Sequence, residues 1–510
     1  MDKLLYSIQM KNRGMAHLII ILFILWSRSL FGNDIVLGIS SVPNNLSPFH
    51  STDSNSQNIN RILHKSLIDL DRNMNFVCVL CESYKEIKEK DQYKISFKLK
   101  KGLQFWDGSA VDAKSIKDSV SYFQNEDIKS VFRFAFGKIK SVKVVSSYEF
   151  EFIYDRFELD HLSNLVLLKI IKMDHDQKTT QGIGDYRLER TNELTIELKS
   201  KTRPNLIFKV VRDETTMALK LIKNEIDISL GSISPRKINW ILKEYPAIKK
   251  WENQSSNFVY LNPNHQSDAL KDINVRKALS LLIPRRDILK YKLKGTAIMA
   301  HSIFSQSFKD IYIDFDIDQY DKARAMKLIK ASGYKHEGGY LIKNGKKLEL
   351  NWIVSNNKKT LEIVNVIKNS FEEAHIKINL NILEWGNFMR RYKQGQFDLV
   401  MAQWVGFTGP DILKFVFHSD MISPKGGNRG RYLNAKVDEL LDNALETYNG
   451  QKRNVIFKEV LKTVNQDYAY INLWHPSVVW LARSCINSVK PYPNGSFLAL
   501  SEIEKVNCKQ

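Results

Sequence analysis

Apolar and polar positions alternate most regularly between residues 94 and 100, where Ile95, Phe97 and Leu99 interleave with Ser96, Lys98 and Lys100. That spacing predicts a strand with one buried face. Gly102 ends the run, Asp107-Gly108 marks a tight turn, and Asp112 is placed to cap a helix from about Ala113 that puts Ile116, Val120 and Phe123 on one side. Upstream, the pattern predicts a strand over 34–40, a loop over 41–48 and a helix over about 57–66. Two strands over 139–145 and 148–154 read as a hairpin, and Asp213 caps a helix over 214–223 that leads into a short strand over 225–229. Val275, Ala278, Leu279 and Leu282 share one face of a helix that Pro284 stops.

The second half changes period. Asn344-Gly345 lies between two alternating runs within 340–354 and predicts a hairpin. Gly339, Gly345 and Lys346 do not make a phosphate loop, since the spacing is one residue too long and Lys347 stands where Ser or Thr is needed. Then follow a helix over 358–374, a strand over 376–383, a helix over 387–393 and a strand over 397–404. That order predicts a largely parallel sheet with right-handed crossovers. Val437, Leu440, Leu441, Ala444 and Leu445 mark an amphipathic helix, a second helix covers 453–466, and a strand returns over 468–473.

With 510 residues, 43% hydrophobic and 26% charged, the chain is too long for one core and predicts two or three lobes. Lys3, Lys11 and Arg13 precede an unbroken apolar run from Leu18 to Trp26, followed by Ser27, Ser29 and Gly32. The run is less than half of the ~20 residues needed to span a bilayer, so residues 1–32 read as a cleaved secretory signal peptide. No cysteine follows it, which gives no support to a lipid anchor. The net charge of +20 raises nucleic acid as a partner, but lysines interleave with acids, as in Lys85-Glu86-Ile87-Lys88-Glu89-Lys90, in the manner of a solvated surface. Cys78, Cys81, Cys485 and Cys508 all lie beyond the leader. An exported chain favours disulfides; three pairings exist, and proximity in sequence favours Cys78 with Cys81 and Cys485 with Cys508. A redox or zinc role for Cys78-x-x-Cys81 has no second such pair and no thioredoxin-like setting beside it.

Phe97, Leu99, Lys100, Gly102, Phe105, Trp106, Asp107, Gly108, Val111, Ala113 and Ile116 together resemble the most recognisable segment of the family 5 extracellular solute-binding proteins, the periplasmic receptors of peptide-type ABC importers. Leu46 to Pro48, Gly182-Ile-Gly-Asp-Tyr186, Glu225-Ile-Asp-Ile228, and Val275, Arg276, Ala278, Leu279, Ile283 and Arg285 stand at further positions of that pattern, as do Asn428, Tyr432, Asn434, Asp438 and Leu440. The resemblance spans about residue 34 to the C-terminus. It implies an α/β fold of the periplasmic-binding-protein type (class II, cluster C): two α/β lobes joined by a hinge, plus an extra α+β domain. The expected division is 33–66, 183–262 and 482–510 for lobe I, 67–182 for domain II and 263–481 for lobe III, with the ligand cleft between lobes I and III. It further implies a monomer without cofactor, located in the periplasm, that delivers a small ligand to an inner-membrane permease with a separate ATPase.

Ligands of open α/β sheets bind beyond the carboxyl ends of strands, which points to the segment following the strand over 397–404. Peptide-binding family members carry a tryptophan there, then an acid for the peptide amino group, then Asp-Pro. Trp404 matches the tryptophan, but Phe407 occupies the acid's place and the dipeptide is reversed to Pro410-Asp411. An ammonium in a closed cleft needs an anion or several carbonyls. Either Asp411 substitutes or the ligand lacks that ammonium, with Phe407 packing in the lobe or forming an aromatic cleft wall. Arg429 and Arg431 either grip a carboxylate or serve at the surface, and Trp385, Tyr260 and Asn262 complete the candidates. Asp174-His175-Asp176 reads as an exposed turn rather than a metal site. No catalytic motif stands out, and a peptide is the expected cargo, with a sugar, an opine or a chelated metal as alternatives and sensing or chaperoning as an alternative role. A secreted enzyme would need a nucleophile and base that the sequence does not offer.

Overall fold

The computed structural model describes residues 34–174, 180–506 and 508, so the leader over 1–32, and His175 and Asp176 of the acidic turn, lie outside the described residues. Two sheets are built on one shared strand. In lobe I, Ile35–Ile39 pairs in parallel with Leu206–Val210 and Ile228–Leu230, and an antiparallel pair, Arg187–Thr191 and Thr195–Lys199, extends the edge. In lobe III, Glu349–Ser355 pairs in parallel with Lys377–Leu383 and Leu399–Trp404, as the alternating strand and helix order predicts. The long strand Ile471–Arg483 belongs to both: Ile471 to Trp474 pair with Phe258–Pro263, while residues 480–482 pair with Ile228–Leu230.

Those pairings move the expected boundaries. Phe258–Pro263 lies antiparallel to Leu399–Trp404 and so is a strand of lobe III, although the sequence reading assigned its residues up to 262 to lobe I. Residues 477–481 likewise leave lobe III, because they pair with Ile248–Gln254 on lobe I. Extended strands simply run through the junction, and a boundary at their ends misplaces it. The chain crosses between the lobes at 254–258 and 475–477. Here Ser255 N donates to Pro476 O (3.1 Å), and buried His475 sets Nδ1 2.8 Å from Asn257 O and Nε2 3.1 Å from Ser302 O. Burial pulls the His475 pKa down to about 4.

Domain II carries a four-stranded sheet, Cys81–Lys88, Tyr93–Leu99, Glu149–Tyr154 and Ser141–Val144 in order of pairing, with the helix Ala113–Gln124 against it. Ile95, Phe97 and Leu99 point into its core beside Ile116, Val120 and Phe123. Asp112 and Ser115 form a reciprocal capping box, as the sequence predicts for Asp112. Trp106 donates from Nε1 to Gly184 O (3.0 Å), and Gly184 N donates to Leu63 O (3.0 Å) at the end of the helix Ser54–Leu63. A Cβ on Gly184 would lie 2.0 Å from Ile62 O, so only glycine lets these segments touch. Asp107 bonds Lys172 (2.6 Å) and Ser109, which together hold its carboxyl well below the usual range. Trp106 and Asp107 are therefore architectural. Disulfides join Cys78 to Cys81 and Cys485 to Cys508, the second tying the C-terminal segment onto lobe I. Among the described residues no helix is long and apolar enough to cross a membrane.

Candidate functional site

Along Phe258–Pro263, Val259 and Leu261 face the main core of lobe III, and Phe258, Tyr260 and Asn262 face the other side. The register sets Phe258 opposite Trp404 and Tyr260 opposite Ala402, so Tyr260 and Trp404 are diagonal neighbours on one face. Their rings are nearly parallel at 6.3 Å, and Tyr470 from the next strand lies 4.0 Å from Tyr260. Trp404 Nε1 donates to the Tyr470 hydroxyl at 3.3 Å. Tyr392, from the helix Trp385–Gln394, closes the group: its hydroxyl accepts from Asn262 Nδ2 (2.8 Å) and lies 3.3 Å from that of Tyr260. Burial raises the pKa of Tyr260 and Tyr470, which keeps both phenols neutral.

Arg429 is set onto this cluster by its loop. Asn428, 1% exposed, bonds Tyr432 O (2.8 Å), Tyr432 N (3.0 Å) and His418 O (3.2 Å), which folds the segment back on itself. Gly430 lies so close to the crossing strand that a Cβ would stand 2.3 Å from Asn262 Oδ1 and 2.9 Å from Pro263 O. Between these anchors the Arg429 guanidinium rests 5.0 Å from the Tyr392 ring and 5.0 Å from the Trp404 ring. Phe415 meets the edge of Trp404 at 6.0 Å, and Gly427 fits against both rings. Of the candidates, the structure brings Trp404, Tyr260, Asn262 and Arg429 together. Tyr392, Tyr470 and Phe415 are the members that sequence reasoning missed; each sits in an ordinary apolar pattern, and only the fold juxtaposes them.

The remaining candidates go elsewhere. Arg431 donates to Gln394 O at 2.7 Å, where a cation complements the C-terminal end of a helix, and it does not join the cluster. Phe407 is 8% exposed, stacks on Phe308 at 5.6 Å and meets Phe304 at 5.8 Å, in an apolar cluster that also takes in Leu70 and Met74. It packs rather than forming an open aromatic wall, because this side of the loop turns into the core. Asp411 precedes the helix Ile412–Phe417 without a side-chain cap bond, and burial together with the nearby Asp160 of domain II raises its pKa to about 6. Its carboxyl thus feels a second carboxylate across the contact with domain II. Trp385, 65% exposed, opens its helix and stacks on Phe388 at 5.6 Å. Leu46 to Pro48 line a cavity with Trp106 and Tyr186 between lobe I and domain II, and no residue of lobe III lines it. Among the described residues no group of three or more His, Cys, Asp or Glu is arranged to hold a metal ion.

The lobes approach each other around this site. Gly406 N, two residues past Trp404, donates to Asn257 Oδ1 (3.3 Å) in the crossing segment, and Lys359 of lobe III lies 3.8 Å from Glu214 of lobe I. On the domain II side, the Tyr448 hydroxyl donates to Glu86 O at 2.7 Å. Trp404 and Arg429 are thus at the end of lobe III that meets the crossing.

The chain as a whole resembles known proteins. The sequence matches the family described as bacterial extracellular solute-binding proteins, family 5, middle, over residues 75–419. The oligopeptide-binding protein AppA of Bacillus subtilis is 24% identical over 484 residues, covering 88% of this chain and 87% of that protein. The crystal structure of Bacillus subtilis AppA in complex with a nonapeptide superposes with a TM-score of 0.72 at 22% identity, covering 93% of this chain and 99% of AppA. NikA from Brucella suis in complex with Fe(III)-EDTA gives 0.81 at 18%, covering 91% and 98%. The structural likenesses establish a two-lobed periplasmic-binding-protein fold, and the sequence match over residues 75–419 places the chain in the family 5 extracellular solute-binding proteins.

Proposed function

We propose that this chain is the substrate-binding protein of a peptide-type ABC importer, which takes a peptide between lobes I and III, closes about the crossings at 254–258 and 475–477, and presents the closed form to a membrane permease. The observation that carries this reading is the aromatic and cationic cluster of Tyr260, Tyr392, Trp404, Tyr470 and Arg429 at the end of lobe III beside those crossings. Trp404 and Arg429 are the half-buried members, and Tyr260, Tyr392, Tyr470 and Asn262 are buried behind them, so an indole and a guanidinium are presented on a rigid backing, the mixture of apolar face and polar tip that small-ligand sites use. Two short crossings leave the lobes free to rotate as bodies. The peptide-binding relative AppA supports the choice of cargo. Hydrolysis of ATP falls to a separate cytoplasmic subunit, and the receptor acts as a monomer without cofactor and without enzymatic turnover. Export through a leader at 1–32, cleavage and release without a lipid anchor place it in the periplasm.

One observation favours a second reading, a non-peptide cargo such as a chelated metal: Phe407 is packed away and Asp411 faces Asp160, so neither supplies the anion that a peptide ammonium requires at this loop. Native mass spectrometry of the protein purified from an exporting host distinguishes the two. A retained set of peptides supports the first, and a retained metal chelate or sugar overturns it. If the protein is empty, a thermal-shift screen with a pool of di- to nonapeptides decides, and no stabilisation by any peptide counts against the first reading.

A further inference from the structure

Resting on the reading of this cluster as the ligand site, we propose that Arg429 is an anchor for a carboxylate of the bound ligand, so that the cargo is held on lobe III by its acidic group rather than by its ammonium. The guanidinium lies against two rings, Tyr392 and Trp404, at 5.0 Å each, contacts that leave its N–H groups to find hydrogen-bond partners elsewhere. Nε is buried without a hydrogen-bond partner, and among the described residues no carboxylate pairs with the group. The terminal nitrogens are not among the buried unpaired atoms, and they form the edge presented outward. A partly buried guanidinium with no counter-ion forgoes one of the stronger interactions open to it, since a carboxylate docks bidentately on two parallel N–H groups.

A surface arginine would swing to solvent or to a nearby acid. Here the loop opposes it: Asn428 fixes the backbone on one side, Gly430 is pressed against Asn262 and Pro263 on the other, and the guanidinium lies 5.0 Å from each of two rings. The rotamer entropy that binding ordinarily costs is thereby spent on folding, which favours affinity. The local charge agrees: the position that would balance an ammonium is Phe407, which is packed into the apolar core. A ligand with its acidic end over Trp404 meets a cation there, whereas one with its amino end there meets like charge.

The test compares binding to the full-length mature protein of three defined pools of tri- to nonapeptides: free acids lacking Asp and Glu, the same peptides amidated at the C-terminus, and amidated peptides carrying one Glu. Retention of the first pool, with the second weaker by about tenfold to a hundredfold, is expected from the loss of a charge-assisted contact. Recovery by the third identifies a side-chain carboxylate as an equivalent source. Arg429→Gln should abolish the difference between the first two pools, and Arg429→Lys, which keeps the charge but not the fork, should retain part of it. The acid-against-amide comparison on the unaltered chain stands even where a variant folds poorly. Equal retention of acids and amides overturns the role of Arg429 and leaves the peptide reading intact; retention of none of the pools overturns the peptide reading, and this inference with it.

Discussion

Replacing Asp411 by asparagine should stabilise the protein, and by an amount that grows with pH. Burial, and then the charge of Asp160 across the contact between domain II and lobe III, raises the Asp411 pKa from 3.8 to about 6. Asp160 itself has Oδ1 buried without a partner and Oδ2 bonded to Lys138 at 2.7 Å, so it supplies no proton donor to its neighbour. The folded state therefore keeps a proton that the unfolded chain releases between about pH 4 and 6. Stability falls as pH rises through that window, and the loss is complete above about pH 7. Going from 3.8 to about 6 is worth about 3 kcal/mol at 1.36 kcal/mol per pKa unit. Asp411 keeps part of its surface open to solvent, which reduces the expected cost to about 1–2 kcal/mol.

Asparagine fills the same volume and cannot ionise. For a lobe of this size each 1 kcal/mol moves Tm by about 2–4 °C, so Asp411→Asn should melt about 2–8 °C higher at pH 8, with roughly half that gain at pH 5. The assay is thermal unfolding of both proteins at pH 5, 6, 7 and 8, read as the difference in Tm because a multi-lobed chain need not unfold in two states. Ligand affinity should not change, since Asp411 faces domain II. A gain independent of pH, or a lower Tm at pH 8, would refute the reasoning.

The other predictions concern different parts of the fold. Gly184→Ala forces a methyl to within 2.0 Å of Ile62 O and should cost about 1–3 kcal/mol or more, seen as a drop in Tm or loss of soluble protein. Trp385→Ala, at a side chain 65% exposed, should leave stability within the range of about 0.5 kcal/mol typical of surface changes, which thermal unfolding reads out. Burial pulls the pKa of His64 down to about 3 and those of His265 and His475 to about 4, each below the unfolded 6.5. The unfolded chain then binds protons that the fold excludes, so Tm should fall as pH drops from 6.5 towards 4, and more steeply in Asp411→Asn, which removes the opposing trend.

Periodicity located most elements of lobe III: the helix Lys358–Glu373 buries Val364, Ile367, Ser370 and Phe371 at helical spacing, and the strands beside it are short apolar runs, with Trp352, Ile353 and Val354 all buried. The Asn344-Gly345 turn was equally legible: Asn344 and Gly345 both take positive φ between Tyr340–Lys343 and Lys346–Lys347. The helices Pro235–Glu244 and Lys322–Ala331 and the strand Ile248–Gln254 are not among the predicted elements, although the first is strongly amphipathic and opens at Ser234-Pro235. The site was legible only in part. Trp404 could be placed because it ends a strand, and Arg429 because it stands in a motif. Tyr392 and Tyr470 lie 12 residues before and 66 after Trp404, and nothing local in their patterns announces that a shared strand will bring them together. Phe407 and Asp411 illustrate the converse: adjacency in sequence suggests a common cleft wall, while the turn at Gly406, with φ +70°, sends them to different neighbours.

Closure of lobe III on lobe I around a peptide is the central claim, and the distance between the lobes measures it most directly. All four cysteines are bridged, so Lys223→Cys on lobe I and Glu362→Cys on lobe III can carry spin labels on two exposed positions flanking the Glu214 and Lys359 approach. Pulsed dipolar spectroscopy with and without the free-acid peptide pool should give a broad or longer distance for the empty protein and a single shorter one when peptide is bound. The same distance distribution in both samples, with peptide demonstrably bound, would contradict the account.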